Sequence, residues 1–211
     1  KTCRKYKKTD MKKLLTLVVL PLVIVLLVYL CYRSVQKPIG FNKEKRQREL
    51  VAIQKLKDIR TLQVAFKNQF NRFAPSIDSL VDFYKNGSMT IIKQIGSMDD
   101  SVAVANKLVR REEIKIPVKD TLLKRDDFNP DNLKVIPFSD GAEIEMVAVI
   151  KQVSGVNVPL FEAKIPYDAL LKGMDHQLLV NLKAEREDTD RYPGLQVGSI
   201  TAPNNNAGNW E

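Results

Sequence analysis

The sequence predicts an α+β protein: an N-terminal transmembrane helix, an amphipathic helix, then a small domain with a mainly antiparallel sheet. Three observations carry this. Leu14 to Tyr32 is an uninterrupted apolar run of 19 residues. Ile53, Leu56, Ile59, Leu62, Phe66, Phe70 and Phe73 recur every three or four residues, the spacing of one helix face. From about residue 113 onward the pattern turns to alternation broken by Gly, Pro, Asn and Asp, which marks strands and turns. The expected segments are a basic tail over 1–13, the membrane span over 14–32, a linker over 33–41, the amphipathic helix over 42–73 and the soluble domain over 74–211.

The span LLTLVVLPLVIVLLVYLCY carries no charge. At ~1.5 Å per residue it reaches roughly 28 Å, close to the ~30 Å of a bilayer's hydrocarbon core. Pro21 removes one donor, which a membrane helix tolerates. The stretch MKKLL from Met11 has the pattern of a secretory start. The apolar run is longer than an ordinary signal h-region, and no small-x-small cleavage site follows it. Cys31 is preceded by Val28, Tyr29 and Leu30, where a lipobox needs small residues. An uncleaved signal anchor is the reading left. Lys1 to Lys13 holds seven basic residues and one acidic residue, which favours that end inside. In a Gram-negative cell, the span then lies in the inner membrane and the domain in the periplasm.

The net charge of +9 is unevenly placed. Residues 1–72 hold 18 basic and 4 acidic side chains, and residues 73–211 hold 16 and 21. The domain is mildly acidic, so no nucleic-acid partner is expected. The cysteines are Cys3 and Cys31, both outside the soluble domain. That excludes a disulfide framework or a cysteine metal site within it.

Lys37, Pro38, Ile39 and Gly40 predict a break before the amphipathic helix. The stripe from Ile53 to Phe73 is near the heptad period. It packs either on the chain's own domain or on a partner helix, a self-association face. Lys43, Lys45, Arg48, Lys55, Lys57 and Lys67 form the opposite face, which is either solvated or set against anionic headgroups. Ser76 caps a short helix over Ile77–Lys85 that Gly87 stops. A third helix is expected around Ser101–Arg111. Strands are expected at Glu113–Val118, Leu133–Phe138, Ala142–Gln152, Val156–Ile165 and Leu195–Ile200, the middle pair forming a hairpin through Ser154 and Gly155. Asp175–Glu187 reads as helix.

Chemistry is sparse. His176, the lone histidine, has only Asp175 beside it and reads as a surface residue at a helix start. Asp127, Asn129 and Asp131 mimic the opening of a calcium loop. Asn132 stands where glycine belongs and Phe138 where glutamate belongs, so a polar turn is the preferred reading. Asp140, Glu143 and Glu145 form an acidic cluster, the basis of an alternative envelope-hydrolase reading. Solvated carboxylates are the commoner outcome on such a strand. Trp210 packs on its own domain, docks on a partner, or frays. No catalytic residue, metal ligand or cofactor is assigned.

LKDIRTLQVAFKNQF (Leu56 to Phe70), SIDSLVDF (Ser76 to Phe83), IPFSDGAEIEM (Ile136 to Met146) and RYPGLQVGSI…NNNAGNWE resemble a Bacteroidetes family of single-span envelope proteins. The likeness covers most of the chain after Pro38 and implies no activity. A span followed by an amphipathic helix and a phenylalanine-rich end is also similar, locally, to pseudopilins. The chain lacks their glycine–phenylalanine processing site and the early glutamate of their apolar helix. The layout implied is that of an inner-membrane assembly component. The expectation for function is therefore a membrane-anchored, non-enzymatic envelope protein acting through protein contacts. A ligand-binding domain reporting to the membrane is the further alternative.

Overall fold

The computed structural model describes residues 15–95, 110–153 and 155–211. It is α+β, with a long apolar N-terminal helix followed by antiparallel sheets. The chain divides into two compact units, Lys1–Arg46 and Gln47–Glu211.

A π-helical turn over Leu15–Val19 leads into helix α1, Leu20–Phe70. Every residue from Thr16 to Lys37 is exposed. Among the described residues this is the one helix long and apolar enough to cross a membrane. The linker expected over 33–41 is not a break: α1 runs through it with Pro38 inside. A proline removes one intrahelical bond, a local cost that a helix already propagating on both sides absorbs. The helix ends at Phe70, inside the segment expected over 42–73. Asn71 takes the left-handed conformation (φ 55°) and its N–H bonds the Lys67 carbonyl at 2.7 Å, an asparagine stop.

In the second unit the stripe is spent within the chain's own domain. Leu56, Ile59 and Leu62 are wholly buried, with Phe66 and Phe73 nearly so, while Phe70 is half exposed. Each fully buried side chain of this size contributes about 1.5–3 kcal/mol. Helix α2, Ile77–Asn86, is capped by Ser76, whose hydroxyl accepts from the Ser79 N–H at 3.2 Å. It buries Ile77, Leu80 and Phe83, the last meeting Phe66 edge-on at 5.2 Å.

Strand β1, Ser88–Ile95, was not anticipated; it pairs antiparallel with β2, Arg110–Pro117. The helix expected around Ser101–Arg111 lies outside the described residues, except Arg110 and Arg111, which open β2. The strand expected over Leu133–Phe138 does not form. A 3₁₀ turn over Pro130–Asn132 precedes a single bridge, Val135 to Glu143. Pro137 has no donor for a ladder and Phe138 turns left-handed (φ 60°). Leu133 and Ile136 are buried all the same.

The hairpin is β3, Glu145–Val153, and β4, Val156–Pro166, turned through Gly155 at φ 83°. Strand β5, Gly194–Gly198, lies on the other side of β4, giving the order β3-β4-β5. It reaches only Glu162–Pro166, so Pro159 sits where its missing N–H costs no bond to β5. Helices α3, Tyr167–Leu170, and α4, His176–Glu187, connect the two strands. Phe161, Ala163, Ile165 and Val197 are wholly buried on one sheet face, where Phe73 lies 4.8 Å from Phe161. The core lies between that face and the α1 stripe.

Candidate functional site

Buried polar groups fix the Gln47–Phe70 part of α1 to the rest of its unit. Gln63 is wholly buried and holds Ala74 by both ends of its amide: Nε2 donates to the Ala74 carbonyl at 3.0 Å and Oε1 accepts from its N–H at 2.9 Å. Asp58 is buried and accepts from Arg125 at 2.7 Å and Gln54 at 3.1 Å. Burial raises its carboxyl above the usual aspartate range, against the pull of Arg125 and Gln54. Lys55 donates to the carbonyls of Asn132 and Val135, both at 2.6 Å. Burial lowers its ammonium below the usual lysine range, with Asp58 pulling the other way. The Tyr167 hydroxyl donates to Glu49 at 2.7 Å; burial first, then Glu49, raises it above the usual tyrosine range. The bonds of Asp58 to Arg125, of Lys55 to Asn132 and Val135, and of Tyr167 to Glu49 join groups far apart in sequence.

The outer side of the same helix stretch borders a cleft of about 660 Å³. Its apolar lining comes from Val64 and Ala65 of α1, Met89 of β1, and Leu122. Around it stand Arg60, Lys67, Asn68, Gln69, Asn205 and Asn206. The side-chain amides of Asn68, Asn205 and Asn206 have no hydrogen-bond partner among the described residues. Gln69 Oε1 accepts from the Thr90 N–H at 3.3 Å, joining α1 to β1. Among the described lining residues there is no carboxylate, imidazole or thiol.

The chain's own tail builds one wall of this cleft. Asn205 and Asn206 are left-handed (φ 55° and 58°), a conformation asparagine accepts more readily than most residues. The Asn204 side chain stabilises that turn by accepting from the Asn206 N–H at 3.1 Å. Beyond it, the Asn209 N–H donates to the Gln196 carbonyl at 3.0 Å and its amide donates to the Gly194 carbonyl at 2.9 Å, so the tail runs beside β5. Trp210 lies on Gly208, where any Cβ would fall within 2.6 Å of the indole. Glu211 receives Arg60 at 2.6 Å, which lowers its carboxyl below the usual glutamate range. The tail therefore packs on its own domain, the first of the readings open for Trp210.

The residues singled out in the sequence do not converge. Asp140 pairs with Lys172, Glu143 pairs with Lys134 at 3.1 Å, and Glu145 stands on β3. Asp127 pairs with Arg125 at 3.2 Å, Asn129 accepts from the Asp131 N–H at 3.0 Å, and Asp131 pairs with Lys85. His176 is the exposed first residue of α4, whose cap Asp175 accepts from the N–H groups of Gln177 and Leu178. Among the described residues no three His, Cys, Asp or Glu side chains are grouped to hold a metal ion. The cleft itself was missed by sequence reading. Its only local signal was the run of three asparagines, a mark of special backbone rather than of a pocket. No protein-family model, no curated protein and no solved structure matches the chain.

Proposed function

We propose that this is a membrane-anchored, non-enzymatic binding protein, single-pass in the inner membrane through Leu14–Tyr32, with its folded unit in the periplasm. The unit works by holding an extended segment of a partner protein in the α1 cleft. The cleft's composition carries the reading: apolar side chains lining it together with amides and two cations are the usual make-up of a recognition site. Amide side chains match the donors and acceptors of a peptide backbone, and Lys67 suits a carboxylate on the segment, Arg60 being held by Glu211. A span, a helix and a small α+β unit also fit the layout of a component of a secretion or pilus-like assembly. The hydrolase alternative is weaker, because Asp140 and Glu143 go to separate lysines and neither lines the cleft.

The test is a photo-cross-linking residue placed at Asn68 in the full chain, in native membranes, with the same residue at Asp188 as a control. A distinct adduct from Asn68 alone, lost on Val64→Glu and Lys67→Glu in folded protein, is the expected result. The same adducts from both positions, or adducts indifferent to those changes, would sink the reading. A C-terminal alkaline phosphatase fusion should be active; an inactive one, with an active cytoplasmic reporter in its place, reverses the orientation.

A further inference from the structure

Strand β3 is an edge. Strand β4 takes one side of it and, among the described residues, no strand takes the other. An edge strand offers a row of backbone N–H and C=O groups to any second strand that fits. Folded proteins usually blunt such edges with proline, a central lysine, a bulge or a covering element. The nine residues EMVAVIKQV contain no proline, and the five at the centre of the pairing below, Met146 to Ile150, are all apolar. Val147 is 48% exposed, Val149 37% and Ile150 64%, which leaves this row open to a partner.

The charges on β3 say which partner. Glu145 and Lys151 bracket the apolar row and lie six residues apart. An even spacing puts them on the same face as Val147 and Val149. Opposite charges at equal distances from Ala148 make the strand its own complement. Laid antiparallel on a second copy with Ala148 facing Ala148, Glu145 meets Lys151, Met146 meets Ile150 and Val147 meets Val149. Two-fold symmetry repeats every pair. Shifted by two residues either way, Glu145 faces Val149 or Val153 and the Glu145–Lys151 pairs are lost; in the first of these shifts Lys151 meets Glu143, which lies outside the strand and is already paired with Lys134. In parallel register, like charges lie side by side. Lys151 donates to the Thr201 carbonyl at 2.8 Å in the single chain, a bond that pairing with Glu145 of a second copy would replace.

We propose that β3 is the contact surface for a second copy of this chain, paired antiparallel about Ala148, so that two three-stranded sheets join into one. The inference stands on β3 and does not depend on the α1 cleft. Opposite-charge and aliphatic cross-strand pairs favour this register, and like charges directly opposite oppose the others.

The test uses the full chain in detergent micelles, with Cys3→Ser and Cys31→Ser to remove background thiols. Sedimentation over a dilution series should show a monomer–dimer equilibrium. Glu145→Lys and Lys151→Glu should each weaken the dimer about tenfold, since each change places like charges together twice per dimer. The combined reversal Glu145→Lys/Lys151→Glu should restore it to within about threefold, because the ion pairs return with their ends exchanged. In the same background, Ala148→Cys should form a disulfide-linked dimer on oxidation, and Val156→Cys, at the far end of the hairpin, should not. Glu145, Lys151 and Val156 are exposed and Ala148 is half-buried, so a thermal melt of each variant checks the fold. A chain monomeric at every concentration overturns the proposal, and so does a dimer indifferent to the single reversals. A double reversal that fails to rescue overturns the stated register.

Discussion

Two stretches of α1 solve the same problem in opposite ways. From Leu20 to Tyr32 the helix is apolar all round, and all of its side chains are exposed. From Gln47 to Phe70 it is apolar on one stripe only, and Leu56, Ile59 and Leu62 are wholly buried. A helix with one apolar face suits a protein's own interior, and a helix apolar on every face is compatible with a membrane anchor. The difference is thus chemical before it is structural. The second stretch also spends polar residues inward: Asp58, held by Arg125 far along the chain, and Gln63, which holds Ala74 just past the helix end. The first stretch has no such pins.

The largest expected effect breaks the second stretch. Replacing Leu62 and Phe66 together with aspartate puts two carboxylates into an apolar seam. Each loses about 2–3 kcal/mol of burial and adds the cost of an unpaired buried charge. The sum reaches the whole stability of an ordinary domain, about 5–15 kcal/mol. Far-UV circular dichroism and protease resistance of the full chain in detergent should both collapse. Leu26→Asp, in the first stretch, should leave the fold's melting curve intact and instead reduce membrane insertion, at a cost of about 2.5–3.5 kcal/mol for a charge at a helix centre. If Leu26→Asp unfolds the domain, or the paired change in the stripe spares it, the contrast between the two stretches is wrong.

A smaller effect sharpens the same contrast at Asp58. Arg125→Gln leaves this carboxylate buried without its cation. Breaking a fully buried pair costs about 3–5 kcal/mol. Arg125 is itself 36% exposed, so about 2–3 kcal/mol is expected at neutral pH, read from chemical denaturation. The pH dependence carries a sign. Burial raises the Asp58 carboxyl, so its contribution is complete below the ordinary aspartate pKa and fades as pH rises through the raised value. Removing Arg125 takes away an opposing pull, so the variant should regain part of its stability on acidification, more than the parent does. A deficit that stays constant with pH would mean that Asp58 is not the group left stranded. Gln63→Leu should cost about 2–3 kcal/mol without pH dependence, because it strands the Ala74 N–H and carbonyl.

What the sequence made legible was whatever depends on near neighbours. The Ser76 cap, the β3–β4 hairpin, the Asp175 helix start and the α1 stripe all follow from spacing and turn chemistry. Strand β1 escaped because Ile91 and Ile92 stand side by side and spoil the period of two, while its partner β2 carries a charged opening. The Lys37–Gly40 break was over-read: a proline weakens a helix at one bond, and its neighbours decide whether that bond matters. Leu133–Phe138 has strand composition, yet Pro137 and the left-handed Phe138 deny it a ladder. The Asp58–Arg125 pair and the α1 cleft join residues separated by long stretches of chain. No local pattern in KLKDIR or in the asparagine run says what will lie across from it.

The smallest effect is expected at the carboxylates that first suggested chemistry. Asp140→Asn with Glu143→Gln keeps size and removes charge. Asp140 lies on Lys172 and Glu143 on Lys134, with the carboxylate side chains 80% and 57% exposed. Pairs in that setting gain little over water, and salt screens them further. Lys134 also keeps Asp78 at 3.4 Å, so it stays paired when Glu143 is neutralised. Glu145 is left unchanged, because the β3 pairing uses its charge. The double variant should melt with the parent, insert in the membrane as before and preserve whatever phenotype deletion of the protein uncovers. Loss of that phenotype in a folded, inserted chain would bring the acidic-site reading ahead of the binding one. It would also mean that the two exposed lysine pairs hide a site that a third group completes.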